Sequence, residues 1–260
     1  MEVRLDGIRG GLLIALRDLD RFWKYKFWLG AQVAMNLADI LIFAVIFNNI
    51  VNRQYIPDYV KFLATGVLAL STFASAFSIG REVGIEIRRE FTHYLLSIPV
   101  SREALVFGRI LSGTLRGLIY QASFIVLAAL IVGTPTALGA VLVLSTSAML
   151  SASMSSLAIA ISTSTRDFNL QATFRSLTYY VLFFFSNVFY PEEILKQRFP
   201  GAVVFLIKLS PVSLAADVYR WAFGYNTSIN VFHEYALLLA WTLVTLVLAS
   251  ALYLRNLTRM

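Results

Sequence analysis

Arg81–Arg109 reads REVGIEIRREFTHYLLSIPVSREALVFGR, the most charged segment of a very apolar chain. Its first part sets Arg81, Glu82, Glu86, Arg88, Arg89 and Glu90 among Val83, Ile85 and Ile87. Such a mixture does not belong in hydrocarbon, where one mid-bilayer Arg or Asp costs roughly 2.5–3.5 kcal/mol on insertion scales. Phe91 to Ser97 then spells a short apolar–polar helix, and Pro99 breaks the chain. Ser101 is placed to cap the next helix, with Glu103 in its first turn. The stretch predicts a helix leaving a membrane, a short helix turning along its surface, and a third helix re-entering. By themselves these residues fit a lever pushed from the cytosol, or a solvated basic loop of some other polytopic protein.

Composition supports the membrane reading. The 260 residues are 58% hydrophobic and only 14% charged, with mean hydropathy +0.71, where a soluble domain carries about 25% charged residues. Continuous apolar runs, rather than alternating ones, predict an all-α membrane protein and not a barrel. Six spans are expected, at about Phe27–Val51, Tyr59–Gly80, Leu105–Val132, Ala137–Thr163, Phe174–Phe189 and Tyr235–Leu254. Each needs roughly 20 residues to cross about 30 Å. Gly133–Thr136 is an uncharged tight turn between two of them. With no cysteine, disulfides, cysteine metal sites and thiol catalysis are excluded.

Ahead of the first span, residues 1–26 mix Arg4, Arg9, Arg17, Arg21, Lys24 and Lys26 with Glu2, Asp6, Asp18 and Asp20. Acids interrupt the basic region, so it is not expected to be a cleavable signal. Leu12, Leu13, Leu16, Leu19, Phe22 and Trp23 recur at helical spacing, with Arg17, Asp18, Asp20, Arg21 and Lys24 filling the rest. This reads as an amphipathic helix in the interface, an anchor or a second contact for a partner. If the N-terminus is cytoplasmic, 16 of the 22 Lys and Arg fall inside: those before Phe27, those from Arg81 to Arg116, and Arg166, Arg175, Arg255 and Arg259. Outside fall Arg53, Lys61, Lys196, Arg198, Lys208 and Arg220. The positive-inside rule thus puts both termini in the cytosol, and the +7 charge serves orientation rather than nucleic acid.

Three polar side chains, Gln32, Asn36 and Asp39, share one face of the first span. They either bond a neighbouring helix or line a translocation path or dimer seam. Small residues recur every four along two spans, as Thr72, Ala76, Gly80, Gly84 and as Ala148, Ala152, Ser156, Ala160, Ser164, which predicts close helix packing. Between Arg198 and Lys208 lie nine apolar residues, about 13 Å as a helix, too short to cross and too apolar for an aqueous loop. Pro191, Pro200 and Pro211 punctuate this region, and Val212–Phe223 reads as a second, amphipathic piece. Two short helices dipping into the outer leaflet are expected.

A family resemblance rests on two segments. The first is Glu86-Ile87-Arg88-Arg89, then Tyr94-Leu95-Leu96-Ser97-Ile98-Pro99-Val100-Ser101-Arg102, then Gly108-Arg109. The second is Tyr190-Pro191-Glu192-Glu193, then Leu209-Ser210-Pro211-Val212-Ser213, then Asp217-Val218-Tyr219-Arg220. Both resemble the ABC-type-2 permeases, the membrane subunits of ABC exporters for drugs, lipids and polysaccharides. Where many members carry Gly-Thr, this chain has Glu90-Phe91. The resemblance implies one permease domain over residues 1–260, with an interfacial helix at 1–26, a cytoplasmic coupling loop at 81–104 and an outer re-entrant hairpin at 190–224. It implies that Arg88, Arg89, Phe91, Tyr94, Leu95 and Arg102 meet a separate ATPase, and that Pro191, Phe205 and Pro211 belong to an outer gate.

The chain has no Gly-x-x-x-x-Gly-Lys-Ser/Thr phosphate loop, so ATP and Mg are expected on two partner ATPase subunits. His-Glu-x-x-His and Gly-x-Ser-x-Gly are also absent, and His93 and His233 fall on opposite predicted sides. The expected function is a plasma-membrane permease, paired with a second copy or a homologue, exporting hydrophobic cargo. Short outer loops without a glycan-capturing module favour a drug- or lipid-like substrate. Polysaccharide or sodium export is the alternative within transport, and a membrane scaffold with no ATPase is the alternative from another class.

Overall fold

The computed structural model describes residues 7–24, 58–97, 100–226 and 228–258, with isolated positions between 27 and 56. The expected first span, with Gln32, Asn36 and Asp39, otherwise lies outside the described residues. The described chain is helical: α1 Ile8–Lys24, α2 Tyr59–Phe77, α3 Ile79–Arg88, α4 Phe91–Ser97, α5 Arg102–Val132, α6 Ala137–Ser164, α7 Phe168–Phe184, α8 Glu192–Arg198, α9 Gly201–Leu209, α10 Pro211–Ala222 and α11 Val231–Thr258.

Short polar side chains set the helix starts. Asp58 accepts from the Lys61 N–H at 3.1 Å to open α2. Ser101 accepts from Ala104 at 3.2 Å to open α5, as its position predicts. Thr136 accepts from Gly139 at 3.1 Å, and Asp167 accepts from Asn169 and Leu170 at 2.8 and 3.2 Å. Each satisfies backbone donors that a helix start leaves open. Gly133 ends α5 at φ 117°, a conformation that needs glycine, and so makes the sharp turn into α6.

Four described helices or helix runs are long and apolar enough to cross a membrane: Tyr59–Arg88, Arg102–Val132, Ala137–Ser164 and Val231–Thr258. A fifth arises if α9 and α10, which meet at 71°, form one broken span. The expected span at 174–189 is displaced. Its helix begins at Phe168, where Asp167 caps it, and ends at Phe184, so its 17 residues reach only about 25 Å. Beyond it the Asn187 N–H donates to Ser213 Oγ at 3.0 Å, which ties that segment to α10 instead of continuing the helix.

α6 is the central post, packed against α2, α3, α5, α10 and α11. The α2–α3 ladder behaves as its spacing predicts. A Cβ on Gly80 would stand 2.7 Å from the Ala158 carbonyl oxygen, and Ala76 packs against Gly117. On α6 the expected ladder holds in part: Ser156 and Ala160 are buried, but Ala148 and Ala152 are only partly buried and Ser164 is exposed, and Ser151 and Ser155 are the residues that sit against Gly117 and Gly113. Serine and alanine occur all round this helix, so composition does not choose its packing face.

α1 is an amphipathic helix, but the side it packs against the protein is not its leucine stripe. Its inward face is Gly10, Gly11, Ile14, Ala15, Asp18 and Phe22, packed on α5, where a Cβ on Gly108 would stand 2.5 Å from the Gly11 carbonyl oxygen. Leu12, Leu13, Leu16 and Trp23 remain exposed. The helix thus offers a small-residue face to the protein and a bulky apolar one to its surroundings, the latter suited to an interface. α10 departs too. It is buried on nearly every side, between α2, α6 and α11, rather than lying amphipathically at a surface. On α9, Val204 and Ile207 pack against Leu195 of α8, leaving Phe205 and Leu206 exposed.

Glu90 joins α3 to α4 at φ 55°, in the left-handed region. This is the position where the resemblance expects glycine, and a side chain there costs roughly 1–2 kcal/mol. Glu90→Gly should therefore leave the thermal stability of the detergent-solubilised protein unchanged or raised, by up to about 1 kcal/mol. Glu90→Val, β-branched, should lower it. A clear loss in the glycine variant would mean that the carboxylate, not the backbone, matters at this turn.

Candidate functional site

Two charges of the 81–104 segment turn inward, Glu82 and Glu86, while Arg81, Arg88, Arg89, Glu90, Arg102 and Glu103 are exposed. Asp18 and Arg109 have 0% of their surface exposed. Arg109 Nη1 donates to Asp18 Oδ2 at 2.7 Å, and its Nη2 donates to Glu86 Oε2. Arg17 donates to the other Asp18 oxygen at 2.8 Å, and Arg21 to Glu86 Oε1 at 2.8 Å. One turn along α3, Glu82 accepts two bonds from Arg116, at 2.5 and 2.9 Å. Arg116 also donates to the Asp18 carbonyl at 2.7 Å and lies over the Phe22 ring, 5.0 Å from its centroid. Four guanidinium groups thus meet three carboxylates, joining α1, α3 and α5. Removing a buried charge from water costs several kcal/mol, recovered only where geometry and remaining hydrogen bonds are good. Here Arg109 has two charged partners, Asp18 and Glu86, and Glu86 has three, Arg109, Arg21 and Arg17, which supplies the pairing such burial needs.

Sequence reading missed this network, which joins residues up to 98 positions apart. The signal was available as Glu82 and Glu86 at i, i+4 and Arg109 and Arg116 at i, i+7. Each pair puts like charges on one face of a helix otherwise too apolar for them.

The short helix α4 has the expected bounds, but its expected patch is divided. Tyr94 is 61% exposed while Leu95 is 1% exposed and joins the core. Phe91 is half-buried, in tilted contact with the Tyr94 ring at 5.3 Å and lying under Arg17 at 5.7 Å. Of the flanking cations, Arg88 lies over Phe168 at 4.9 Å, Arg102 is exposed at the start of α5, and Arg89 lines a cleft. Among the described side chains of α4, Tyr94 and Ser97 are the exposed ones, with the exposed Arg88 and Arg102 beyond its two ends.

That cleft, about 1200 Å³, opens between the end of α1 and α2, α3, α5 and α7. Phe77, Tyr179 and Tyr180 form its apolar wall, and Arg81, Arg89 and Arg175 its charged one. At the far end of the bundle a second polar cluster closes α2 against α10. Arg220, counted from sequence on the outer side, is buried. It donates to Asp217 at 2.9 Å and to the Asn187 carbonyl at 2.9 Å, over the Phe62 ring at 3.8 Å. Asn187 donates to the other Asp217 oxygen at 2.8 Å. Burial pushes the nearby Tyr225 phenol up, against the opposing pull of Arg220. Pro191 precedes α8 and Pro211 occupies the first turn of α10, both buried, whereas Phe205 points outward.

Long apolar helices around a small-residue seam, a short surface helix rooted in an ion network and a bent helix pair define a polytopic membrane transporter subunit. The family model for the ABC-2 type transporter matches residues 12–224, well over half of the chain, and the chain belongs to that family as a permease. No curated protein matches it. The match covers the ion network, α4 and the outer bent pair, and ends before α11. The chain is accordingly the permease of an ABC transporter and not itself its catalyst, in a family whose members generally work with ABC ATPases.

Breaking the network should be costly. Asp18→Ala leaves Arg109 paired with Glu86 alone, and should destabilise the detergent-solubilised protein by about 3–5 kcal/mol. Asp20→Ala, at an exposed position two residues on, should stay within about 0.5 kcal/mol. Equal thermal midpoints for the two variants would show that the buried ion set does not hold α1.

Proposed function

We propose that this permease exports a hydrophobic, drug- or lipid-like cargo from the cytoplasm across the plasma membrane, as a pair with a second copy or a homologous permease. Two ATPase subunits carry ATP and Mg and dock on the face that bears α4. The observation that carries this reading is α4 itself: a seven-residue helix with an exposed tyrosine, flanked by arginines. Its Leu95 is anchored in the core, so a push on Tyr94 is delivered to the bundle rather than lost in a loop. α3 leads directly from α4 into α2, and Glu82 and Glu86 of α3 grip α5 and α1. A force on α4 therefore reaches three helices through charge-assisted bonds. The outer bent pair, closed on α2 by Asp217 and Arg220, is the corresponding gate at the other end. Both termini are cytoplasmic, as the distribution of Lys and Arg favours.

Tyr94→Ala should weaken association with the ATPase without loss of folding or insertion. A hot-spot loss of about 2 kcal/mol corresponds to roughly 30-fold in affinity. Val126→Ala, on the exposed face of α5, is the matched control and should do little. Unchanged transport-coupled ATP hydrolysis in the Tyr94 variant would move the lever elsewhere, most directly to α1.

Orientation has its own test. Single cysteines at Thr136 and Asn226 should react with an impermeant thiol reagent applied outside intact cells, and one at Ser97 should not. Labelling at Ser97 from outside would invert the topology.

A further inference from the structure

The cleft between α1, α3 and α7 has a composition that a purely hydrophobic cargo does not explain. Glu82 and Glu86, its acids, are engaged by Arg116, Arg109, Arg21 and Arg17. Arg81, Arg89 and Arg175 have no carboxylate partner among the described residues. Arg175 bonds the Gly80 carbonyl and Ser162 Oγ, both at 3.3 Å and both through Nη1. No bond joins its Nε or Nη2 to another described residue, and Arg175 lines the cleft. Arg81 stands near enough to Arg175 for the two charges to repel. Two guanidinium groups lining one cleft without an acid partner are stabilised by an anion bound between them.

The opposite wall is aromatic. Tyr179 stacks on Phe73 at 4.9 Å, which fixes it, and Phe77 lies beside it. From Tyr180 an exposed apolar strip continues along α7 through Leu177, Val181 and Phe184. The cleft also sits where apolar α2 gives way to charged α3, the depth at which a membrane's headgroups meet its hydrocarbon. Its volume, about 1200 Å³, exceeds the roughly 300–1,000 Å³ typical of small-molecule sites.

We propose that this cleft binds an amphipathic anion, its phosphate or carboxylate held by Arg81 and Arg175 with Arg89 at the mouth, and its apolar chain laid against Tyr179, Tyr180 and the α7 strip. The inference rests on the transport reading and narrows its cargo from hydrophobic molecules in general to anionic amphiphiles. A soluble single-chain anion and an anionic bilayer lipid share this chemistry.

The test measures binding of radiolabelled dodecyl phosphate to the purified full chain in nanodiscs of phosphatidylcholine, with empty nanodiscs subtracted. Saturable binding is expected, competed by unlabelled dodecyl phosphate and not by dodecyltrimethylammonium or dodecyl maltoside. The double variant Arg81→Gln, Arg175→Gln should bind at least tenfold more weakly, and Arg81→Lys, Arg175→Lys should retain most of the affinity. Arg89→Gln, exposed at the end of α3, tests the same point without disturbing the fold and should weaken binding several-fold. Unchanged affinity in the glutamine variants, or equal competition by the cationic amphiphile, would overturn the proposal. Nanodiscs containing phosphatidylglycerol separate the two sources. Loss of dodecyl phosphate binding there identifies the bilayer lipid as occupant, and retention identifies the free single-chain anion. The assay needs neither ATPase nor transport. Binding without ATPase association would remove only the exporter reading, and ATPase association without binding would remove only this one.

Discussion

The constraint on which this molecule turns is that charges taken out of water must be paired at once and from several directions. Arg109 is fully enclosed, and its two partners come from different helices, Asp18 of α1 and Glu86 of α3. No pair of the three elements α1, α3 and α5 satisfies it alone. The cost of leaving one buried ion unpartnered, about 3–5 kcal/mol, is a large share of a typical protein's stability. The three helices are therefore held as one body at this level. Close backbone contacts reinforce the arrangement: Gly108 lets α1 reach α5, and Gly80 lets the α2–α3 rod reach α6. Glycine sets the distance and the ions set the register.

Local chemistry made part of this visible in the sequence. The bounds of α4, the Ser101 cap and the turn at Gly133 each depend on a few adjacent residues, and the structure has them where the sequence places them. The long helices were legible because twenty apolar residues leave few alternatives. Facing was not legible. Leu12, Leu13 and Leu16 mark an apolar stripe on α1, but in a membrane such a stripe is as content against lipid as against protein, and glycines with one aspartate decide the packed side. The same ambiguity moved part of the α6 seam to Ser151 and Ser155. The partners of Arg109 and Arg116 lie too far along the chain for any local pattern to join them, whereas Asp217 and Arg220 stand at i, i+3, close enough for a local pattern to suggest a pair, although the count of basic residues only places Arg220 on the outer side.

How firmly each helix is held differs sharply, and the difference bears on how such a molecule can move. α1, α3 and α5 are locked by ions, α2 and α10 by Arg220 with its carboxylate, carbonyl and ring contacts. α6 and α11 are joined by small hydroxyl contacts, such as Thr245 to Ser153 at 3.2 Å and Thr242 to the Met149 carbonyl at 3.2 Å. α7 stands apart, for Gln171 is its only buried residue, and much of its surface is aromatic and open. Segments with few buried contacts open at lower free energy than the body they adjoin. α7 is also one wall of the charged cleft, so the least restrained helix faces the locked set across that space. Arg81 and Arg89 stand on the ion-locked side of the cleft, while Arg175 stands on the compliant wall, tethered by two long bonds through a single nitrogen. The width of the cleft, and with it the separation of these arginines, is thus set by the least restrained of its walls.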